Sequence, residues 1–326
     1  MSSAMEPRGL SSHLETPRIQ PSLTIKKDYF SVQQRVHALA IAFIPLLGCI
    51  AALLLVLCVG ISSVDIGLCL GMYVLTMIGI TVGFHRQFAH RSFSASVPLC
   101  VVLAVLGCMA CQGPLIYWVS NHRRHHRYPD QPGHPDQPAD PHSPYFKGEK
   151  RLGRLQGLLH AHVGWTLQHD LTNPIVFAKD LLRDPVMARV NRLYYVWVGL
   201  SLALPTMLGV LLTGAWIGGL SGFLWGGMVR LFVSYHLTNS INSITHAFGT
   251  RPFNTPDCST NNIWLALPTL GEAWHNNHHA SPSMAVFSMR WWQIDVGGWL
   301  IQGLGALGLA WDIKTNSRRR GGQYPV

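Results

Sequence analysis

The sequence predicts an all-α integral membrane protein with four transmembrane helices in two hairpins, and three observations support this fold class. Hydrophobic residues make up 48% of the 326 residues and charged residues only 12%, which is too apolar for an ordinary soluble domain. Four apolar runs are long enough to cross about 30 Å of hydrocarbon as helices. Basic residues are absent from the short connection inside each predicted helix pair.

The apolar runs place the four predicted spans at about 38–60, 66–84, 194–212 and 215–235. Arg230 interrupts the fourth run, and we interpret it as the point where that helix leaves the lipid. Residues 1–30 precede the first span. Because their Ser, Pro and scattered charges show no periodicity, we expect a disordered tail there and a single membrane domain over 31–326.

The distribution of Lys and Arg predicts the orientation in the membrane. Neither residue occurs between His37 and Phe84 or between Leu193 and Val229. By the positive-inside rule, both termini and the segments outside the hairpins are therefore cytoplasmic. The net charge of +10 is explained by this orientation and by contact with anionic lipid, so nucleic-acid binding is not needed.

Nine of the 17 histidines fall into groups with regular spacing. An HxxHH motif on a helix directs three imidazoles from one face, and neutral imidazoles are good ligands for Zn, Cu, Fe or Ni. Nine imidazoles exceed what one ion can hold, so the sequence predicts two metal ions. The candidate ligands come from HRQFAH, HRRHH, NSITH and HNNHH: His85, His90, His122, His125, His126, His246, His275, His278 and His279.

These groups can meet only if the apolar run Val97–Val119 does not cross the membrane. A crossing would put His85 and His122 on opposite sides of the bilayer. We therefore interpret the run as a buried or re-entrant element that is broken near Gln112. Cys108 and Cys111 in this run form a CxxC that lacks a second pair, and we expect them to pack as small hydrophobic residues.

The sequence resembles the membrane fatty-acid desaturases, in particular the bacterial members of the stearoyl-CoA (delta-9) desaturase-like branch. The motifs that carry the resemblance are GITVGFHRQFAHRSF, NHRRHH, ADPHSP, NSITHAFGTRPF and GEAWHNNHH. The resemblance implies a cytoplasmic helical cap with two irons bound by the nine histidines, and by Asn242 through a water. It also implies O2-dependent conversion of a long-chain saturated acyl group, most simply acyl-CoA, to the cis-delta-9 product.

The resemblance also assigns residues to the substrate channel. Trp118, Thr238 and Gln112 would enclose the kinked chain near the oxidised carbons, and Tyr73 and Met77 would limit its length. Met77 is large where animal enzymes have a small residue, which predicts a tunnel slightly short for an 18-carbon chain.

The residues that contact the head group differ from the animal pattern, with Ser120, Gly113 and Asn239 replacing Arg, Asn and Trp. A glycerolipid or an acyl-carrier protein therefore stays open as the carrier. The loop PDQPGH-PDQPAD (129–140) is a tandem duplication, which we expect to lie on the surface without a catalytic role.

The enzyme would need an electron donor, and the sequence contains no haem, iron-sulfur or dinucleotide motif. A ferredoxin, a rubredoxin or a cytochrome b5-like protein, with its reductase, is therefore the expected partner. An acidic donor could be attracted by the arginines between the histidines, although these could equally bind phosphate: Arg86, Arg91, Arg123, Arg124 and Arg127. We expect Glu272, Asp140 and Asp257 to orient metal-binding imidazoles.

Two alternative functions remain open from the sequence. A membrane di-iron hydroxylase would use the same histidines but form an alcohol. A histidine-rich metal transporter would carry ionisable residues along its spans, and the predicted spans have almost none. The expected location is an inner bacterial membrane.

Overall fold

The computed structural model describes residues 21–26, 28–134, 137–168 and 170–315, and these are mostly helical. Numbered along this part of the chain, the helices are α1 (Asp28–Val59), α2 (Ser63–Ala89), α3 (Val97–Met109), α4 (Leu115–Arg127), α5 (Arg154–Leu159, continued by His160–Gly164 and Trp165–Gln168), α6 (Pro174–Phe177), α7 (Lys179–Arg183), α8 (Pro185–Arg192), α9 (Tyr194–Thr213), α10 (Trp216–His246), α11 (Ile263–Ala266), α12 (His275–Ala280) and α13 (Val296–Ala306).

Short strands add backbone hydrogen bonds to the described chain, and two of the three strand pairs join distant segments. They form three antiparallel pairs of two residues each: Thr24–Ile25 with Leu171–Thr172, Ser94–Ala95 with Ala310–Trp311, and Phe146–Lys147 with Lys150–Arg151.

Four of these helices, α1, α2, α9 and α10, are long and apolar enough to cross a membrane. Each contains or closely matches one of the predicted spans. The start of α2 is fixed by a reciprocal cap, in which Ser62 Oγ accepts from Asp65 N and Asp65 Oδ2 accepts from Ser62 N. Asp65 also accepts a hydrogen bond of 2.5 Å from Ser221 Oγ on α10. A buried carboxylate thus joins two apolar helices at one end.

Small residues allow α9 and α10 to pack at very short range. A Cβ atom added to Gly209 would come within 2.1 Å of the Gly218 carbonyl oxygen, closer than any real contact. Backbone approach of this kind is a common way for membrane helices to associate. The short link between the two helices contains Gly214, whose φ of +68° favours glycine.

Arg230 lies inside the fourth apolar helix, and its predicted position where that helix leaves the lipid stays a prediction. α10 continues to His246, and the Arg230 side chain is fully buried. Its guanidinium donates to the carbonyl oxygens of Gly226, Met109 and Ser201 at 2.7 to 3.0 Å. A buried cation is tolerated here because backbone carbonyls from three helices replace its water.

The run Val97–Val119 is broken, as the sequence predicts. α3 ends at Met109 and α4 begins at Leu115, and the turn between them places Gly113 at a φ of +102°. With 13 residues, α3 is about 20 Å long, too short to cross the hydrocarbon core. Cys108 and Cys111 are buried free thiols, which confirms their predicted packing role.

The disordered tail predicted over residues 1–30 extends too far into the chain. Residues 1–20 lie outside the described residues, but Thr24–Ile25 pairs with Leu171–Thr172, and α1 already begins at Asp28. Asn173 fixes this strand further, since its backbone N–H donates to Leu23 O and its side chain to Ser22 O. The strand is therefore tied to the body of the protein by hydrogen bonds to a distant segment.

Candidate metal centre and substrate channel

The nine histidines singled out by their spacing come together in two neighbouring groups. Within each group, one ring nitrogen of every histidine lies within 4.8 Å of all the others. The first group is His85, His90, His122, His126 and His278, and the second is His125, His246, His275 and His279.

Each HxxHH motif contributes to both groups, which corrects the expectation of three imidazoles on one face. In α4, His122 and His126 belong to the first group and His125 to the second. In α12 the pattern is reversed, since His278 belongs to the first group and the other two to the second. The helical repeat explains this division, because consecutive residues are about 100° apart whereas i and i+4 are about 40° apart.

The HxxxxH motif depends on an unusual helical turn. The last 11 residues of α2, Gly79–Ala89, form a π-helix, and His90 N donates to His85 O at 3.1 Å. A hydrogen bond between residues five apart stacks the two side chains on one face, which an α-helical turn would not do. The spacing of five residues between the two histidines is the sequence signal for this turn.

Nε2 atoms face one another at short distances in both groups. In the first group, Nε2 of His278 lies 3.1 Å from that of His85 and 3.0 Å from that of His126. In the second group, Nε2 of His125 lies 3.3 Å from that of His279. The other facing pairs, at 2.8 and 3.0 Å, are His90 with His122 and His246 with His275.

The opposite nitrogens of several rings contact buried carboxylates. The three acidic residues selected from the sequence each meet the Nδ1 atom of one histidine: Asp257 at 2.7 Å from His279, Asp140 at 2.8 Å from His125, and Glu272 in a very short contact with His85. Such partners fix the tautomer and the ring plane of a metal-binding imidazole.

A fourth carboxylate, Asp130, was missed in the sequence. Its Oδ2 lies 2.8 Å from His246 Nδ1, and it also accepts from Cys258 N at 2.9 Å. Asp130 belongs to the duplicated loop that we expected to be a surface turn without a role, so that expectation was wrong for this residue. Its position four residues after the HRRHH motif could have identified it.

The arrangement of lone pairs fits bound metal ions. An imidazole that donates Nδ1–H to a carboxylate keeps a lone pair on Nε2. His125 and His279 both have such carboxylate partners, so their facing Nε2 atoms would repel each other unless a cation lay between them. Two nitrogens about 2.1 Å from one ion are roughly 3.0 to 3.4 Å apart at angles of 90° to 109°. Four of the five observed separations, 3.0 to 3.3 Å, lie within this range, and the fifth, 2.8 Å between His90 and His122, is slightly shorter.

Burial favours the neutral form, which can bind a cation, in several of these imidazoles. It lowers the pKa of His90, His122 and His278 well below the usual value, and neighbouring histidines lower it further. Burial also lowers the pKa of His279 to about 4, which outweighs the attraction of Asp257. The pKa of Asp257 is nevertheless lowered, because hydrogen bonds from His279 and Ser259 overcome the effect of its burial.

A narrow channel in two compartments reaches the histidines. The outer compartment, of about 80 Å³, and the inner one, of about 40 Å³, share Trp118, His122, Thr238 and Asn242 in their walls. Between them, Gln112 Nε2 donates to Thr238 Oγ1 at 3.0 Å. The three residues expected to enclose an acyl chain therefore lie together, beside a histidine of the first group.

The inner compartment ends near the residues expected to limit chain length. Met77 lines it and is almost fully buried, at 1% exposure. Tyr73 lies one turn before Met77 in α2, outside the lining, and its hydroxyl donates to the carbonyl of Pro268. Asn242 lines the inner compartment together with His125 and His275, which places it next to the second histidine group.

The three positions that differ from the animal pattern make hydrogen bonds within the protein. Ser120 is buried and its Oγ donates to Ile116 O. Asn239 accepts from Trp165 Nε1 and donates to Tyr235 O. At Gly113 only the backbone is polar, and its N–H donates to the hydroxyl of Tyr194.

Most of the arginines near the histidines have structural partners, so the buried ones are not accessible to a redox donor. Arg86 is fully buried and donates to Asp295 and Ala285 O. Arg124 is buried too and donates to Ala139 O. Arg123 makes two hydrogen bonds to Asp180. Two of the five remain exposed: Arg91 and Arg127.

The family model for "Fatty acid desaturase" matches residues 61–296. The chain belongs to the fatty acid desaturase family. It is therefore an oxidoreductase of lipid metabolism and is membrane-associated, as its four long apolar helices indicate. The family generally uses a di-iron centre with O2, an acyl substrate and an electron donor. The two histidine groups are able to hold such metal ions.

Curated desaturase relatives act on chains attached to different carriers. The hex-5-enoyl-[acyl-carrier protein] acetylenase of Moorena producens is 50% identical over 91% of both chains. The sn-1 stearoyl-lipid 9-desaturase of Anabaena variabilis is 35% identical over 79% of this chain and 87% of its own. The acyl-CoA C20 delta5-desaturase of Anemone leveillei is 35% identical over 76% and 73%. Their names span three kinds of acyl carrier and several bond positions.

Proposed function

We propose that this protein removes two hydrogens from adjacent carbons of a fatty acyl chain, using O2 and two irons held by the nine histidines. When bound, the irons would supply the O2-activating redox chemistry. O2 accepts four electrons and becomes two waters, with two electrons and two protons from the donor side and two hydrogens from the chain. The convergence of nine histidines in two groups beside a narrow channel is the observation that carries this proposal.

The protein's own residues place the chain and exclude water. Trp118, with Gln112 hydrogen-bonded to Thr238, narrows the channel where its two compartments meet. A bend at this point would present one pair of adjacent methylenes to the irons and would favour a cis double bond. In a chain long enough to reach the inner end of the channel, we propose that the double bond forms at delta-9. Enclosure also keeps water from the reacting carbons. We propose Asn242 as a ligand through water, because it lines the inner compartment together with His125 and His275.

For the acyl carrier, we propose the acyl-carrier protein in preference to CoA, which the sequence favoured. Ser120 and Asn239 have hydrogen-bond partners inside the protein, and Gly113 has no side chain, so these positions offer no cationic group to a nucleotide phosphate. A carrier protein needs no nucleotide site. The relative from Moorena producens, whose name specifies an acyl-carrier-protein substrate, supports this choice. A glycerolipid carrier is the alternative, supported by the name of the Anabaena variabilis relative.

We also propose the orientation predicted from the basic residues. The pairs α1–α2 and α9–α10 would form two hairpins, with both termini and a helical cap of shorter segments in the cytoplasm. Residues 31–326 would form one desaturase domain in an inner bacterial membrane. A separate ferredoxin, rubredoxin or cytochrome b5-like protein, reduced by its own reductase, would supply electrons. A C-terminal fluorescent-protein fusion should be bright and an alkaline-phosphatase fusion inactive, because only a cytoplasmic terminus gives both results.

The reaction is tested by product analysis. The full chain is expressed in a host that lacks unsaturated fatty acids, and the methyl esters of its lipids are analysed. We expect an alkene, and its position tests delta-9. An alcohol would instead support the hydroxylase. Purified protein in nanodiscs, with a donor and its reductase, should then convert an acyl-carrier-protein substrate faster than the matching acyl-CoA or phospholipid.

Met77 provides a test of the channel end. The change Met77→Ala should shift the preferred substrate to a longer chain, because it removes a buried side chain from the wall of the inner compartment. The preference is measured by competition among acyl chains of graded length. Met72→Ala is the matched control, since Met72 is buried on the same helix and does not line that compartment. An unchanged preference in Met77→Ala would show that this residue does not limit the chain.

A further inference from the structure

The segment 262–271 lies between α10 and the second HxxHH motif and forms a loop whose tip contacts α2. Its base is closed by a hydrogen bond from Asn262 N to Ala273 O at 2.9 Å. At its tip, the carbonyl of Pro268 accepts from the hydroxyl of Tyr73 on α2. Thr269, on the returning arm, lines the inner compartment of the channel.

The contact with Tyr73 indicates how far this segment reaches. Tyr73 lies ten residues after the start of α2 and 12 residues before His85. At 1.5 Å per residue these separations are about 15 and 18 Å, so in a span across about 30 Å of hydrocarbon Tyr73 is close to the middle. Leu70 and Val74, which flank Tyr73, are exposed apolar side chains on α2. The surface around the tip is therefore lipid-facing.

The outer face of the segment is strongly apolar. Ile263 is 58% exposed, Trp264 86% and Leu267 58%. The sequence contains no charged residue between Asp257 and Glu272. Large exposed apolar groups without charged neighbours mark a surface that another apolar phase covers.

The backbone of the segment is also compatible with lipid. Asn262 Oδ1 accepts from the N–H groups of Trp264 and Leu265 at the start of α11. On the returning arm, Thr269 N donates to Leu265 O and Gly271 N to Ala266 O. Irregular backbone is tolerated at membrane depth where the protein itself satisfies its polar groups.

We propose that residues 262–271 form a re-entrant segment whose tip lies at hydrocarbon depth, with Ile263, Trp264 and Leu267 packed against lipid acyl chains. The occupant is the bilayer itself, because this face continues the lipid-facing surface of α2. The segment would separate the inner end of the channel from the membrane. This inference does not rest on the proposed reaction, only on α2 crossing the bilayer.

Tryptophan fluorescence of the full chain in nanodiscs tests the proposal. The spectrum of the Trp264→Phe variant, subtracted from that of the unchanged protein, isolates the emission of Trp264. Nanodiscs are prepared with phosphatidylcholine, either unmodified or brominated near the middle of the acyl chains. We expect brominated lipid to remove most of the Trp264 emission and aqueous iodide to leave it unchanged. Trp216→Phe, treated in the same way, calibrates a tryptophan at the end of a span.

Two results would overturn the proposal. Quenching by iodide without quenching by brominated lipid would place Trp264 in water. Resistance to both quenchers would mean that protein, such as a second copy of this chain, covers the face. Trp264→Phe keeps an aromatic side chain at an exposed position, so size-exclusion chromatography should show unchanged folding.

Discussion

The change His278→Ala should abolish product formation and lower the bound iron. The Nε2 atom of His278 faces those of both His85 and His126 at about 3 Å, so its loss removes a shared ligand from the first group. Loss of a carboxylate that hydrogen-bonds to a metal-binding histidine typically costs 10–100-fold in metal affinity or activity. We expect loss of the histidine itself to cost more than about 100-fold. Iron per chain and fatty acid methyl esters are the two measurements.

The control for this variant is His134→Ala. His134 is exposed in the duplicated loop, away from both groups, so its replacement should leave iron and product unchanged. Because His278 is fully buried, His278→Gln is added to separate ligand loss from a packing defect. A folded His278→Gln protein with full iron and full activity would refute the assignment of His278 as a ligand.

Asp130→Asn should weaken iron binding or activity about 10–100-fold. The amide keeps the shape of the side chain but removes the charge that faces His246 Nδ1 at 2.8 Å. Its NH2 group can also point at the imidazole and force the wrong tautomer. Affinity is measured by titrating iron into the metal-free protein under anaerobic conditions.

The matched control is Glu149→Gln, which makes the same chemical change at an exposed carboxylate. It should bind iron like the unchanged protein. If Asp130→Asn also bound iron with unchanged affinity and turned over normally, the duplicated loop would have no part in the metal centre.

The local spacing of the histidines was enough to predict which residues converge, but not how they divide. HxxHH on a helix brings His122 and His126 to one group, because residues four apart nearly align. The middle histidine reaches the other group only because α4 and α12 lie between the two groups. That placement depends on tertiary packing, which the spacing of residues within one motif does not contain.

The buried charges were the least predictable part of the fold. Arg230 appears in the sequence as a break in an apolar run, since its partners are carbonyl oxygens of residues 4 to 121 positions away. Asp130 looked like a turn residue for the same reason, because its partner His246 is 116 residues later. Backbone carbonyls and distant carboxylates leave no pattern near the residue that uses them.

These histidines should hold two irons in one membrane protein chain. The most direct test is metal analysis of the purified full chain after expression in iron-supplemented medium, with iron and zinc measured against protein by mass spectrometry. We expect about two irons per chain, to match two nitrogen-rich groups. A folded, active protein with one iron or none, or with zinc in both groups, would contradict it.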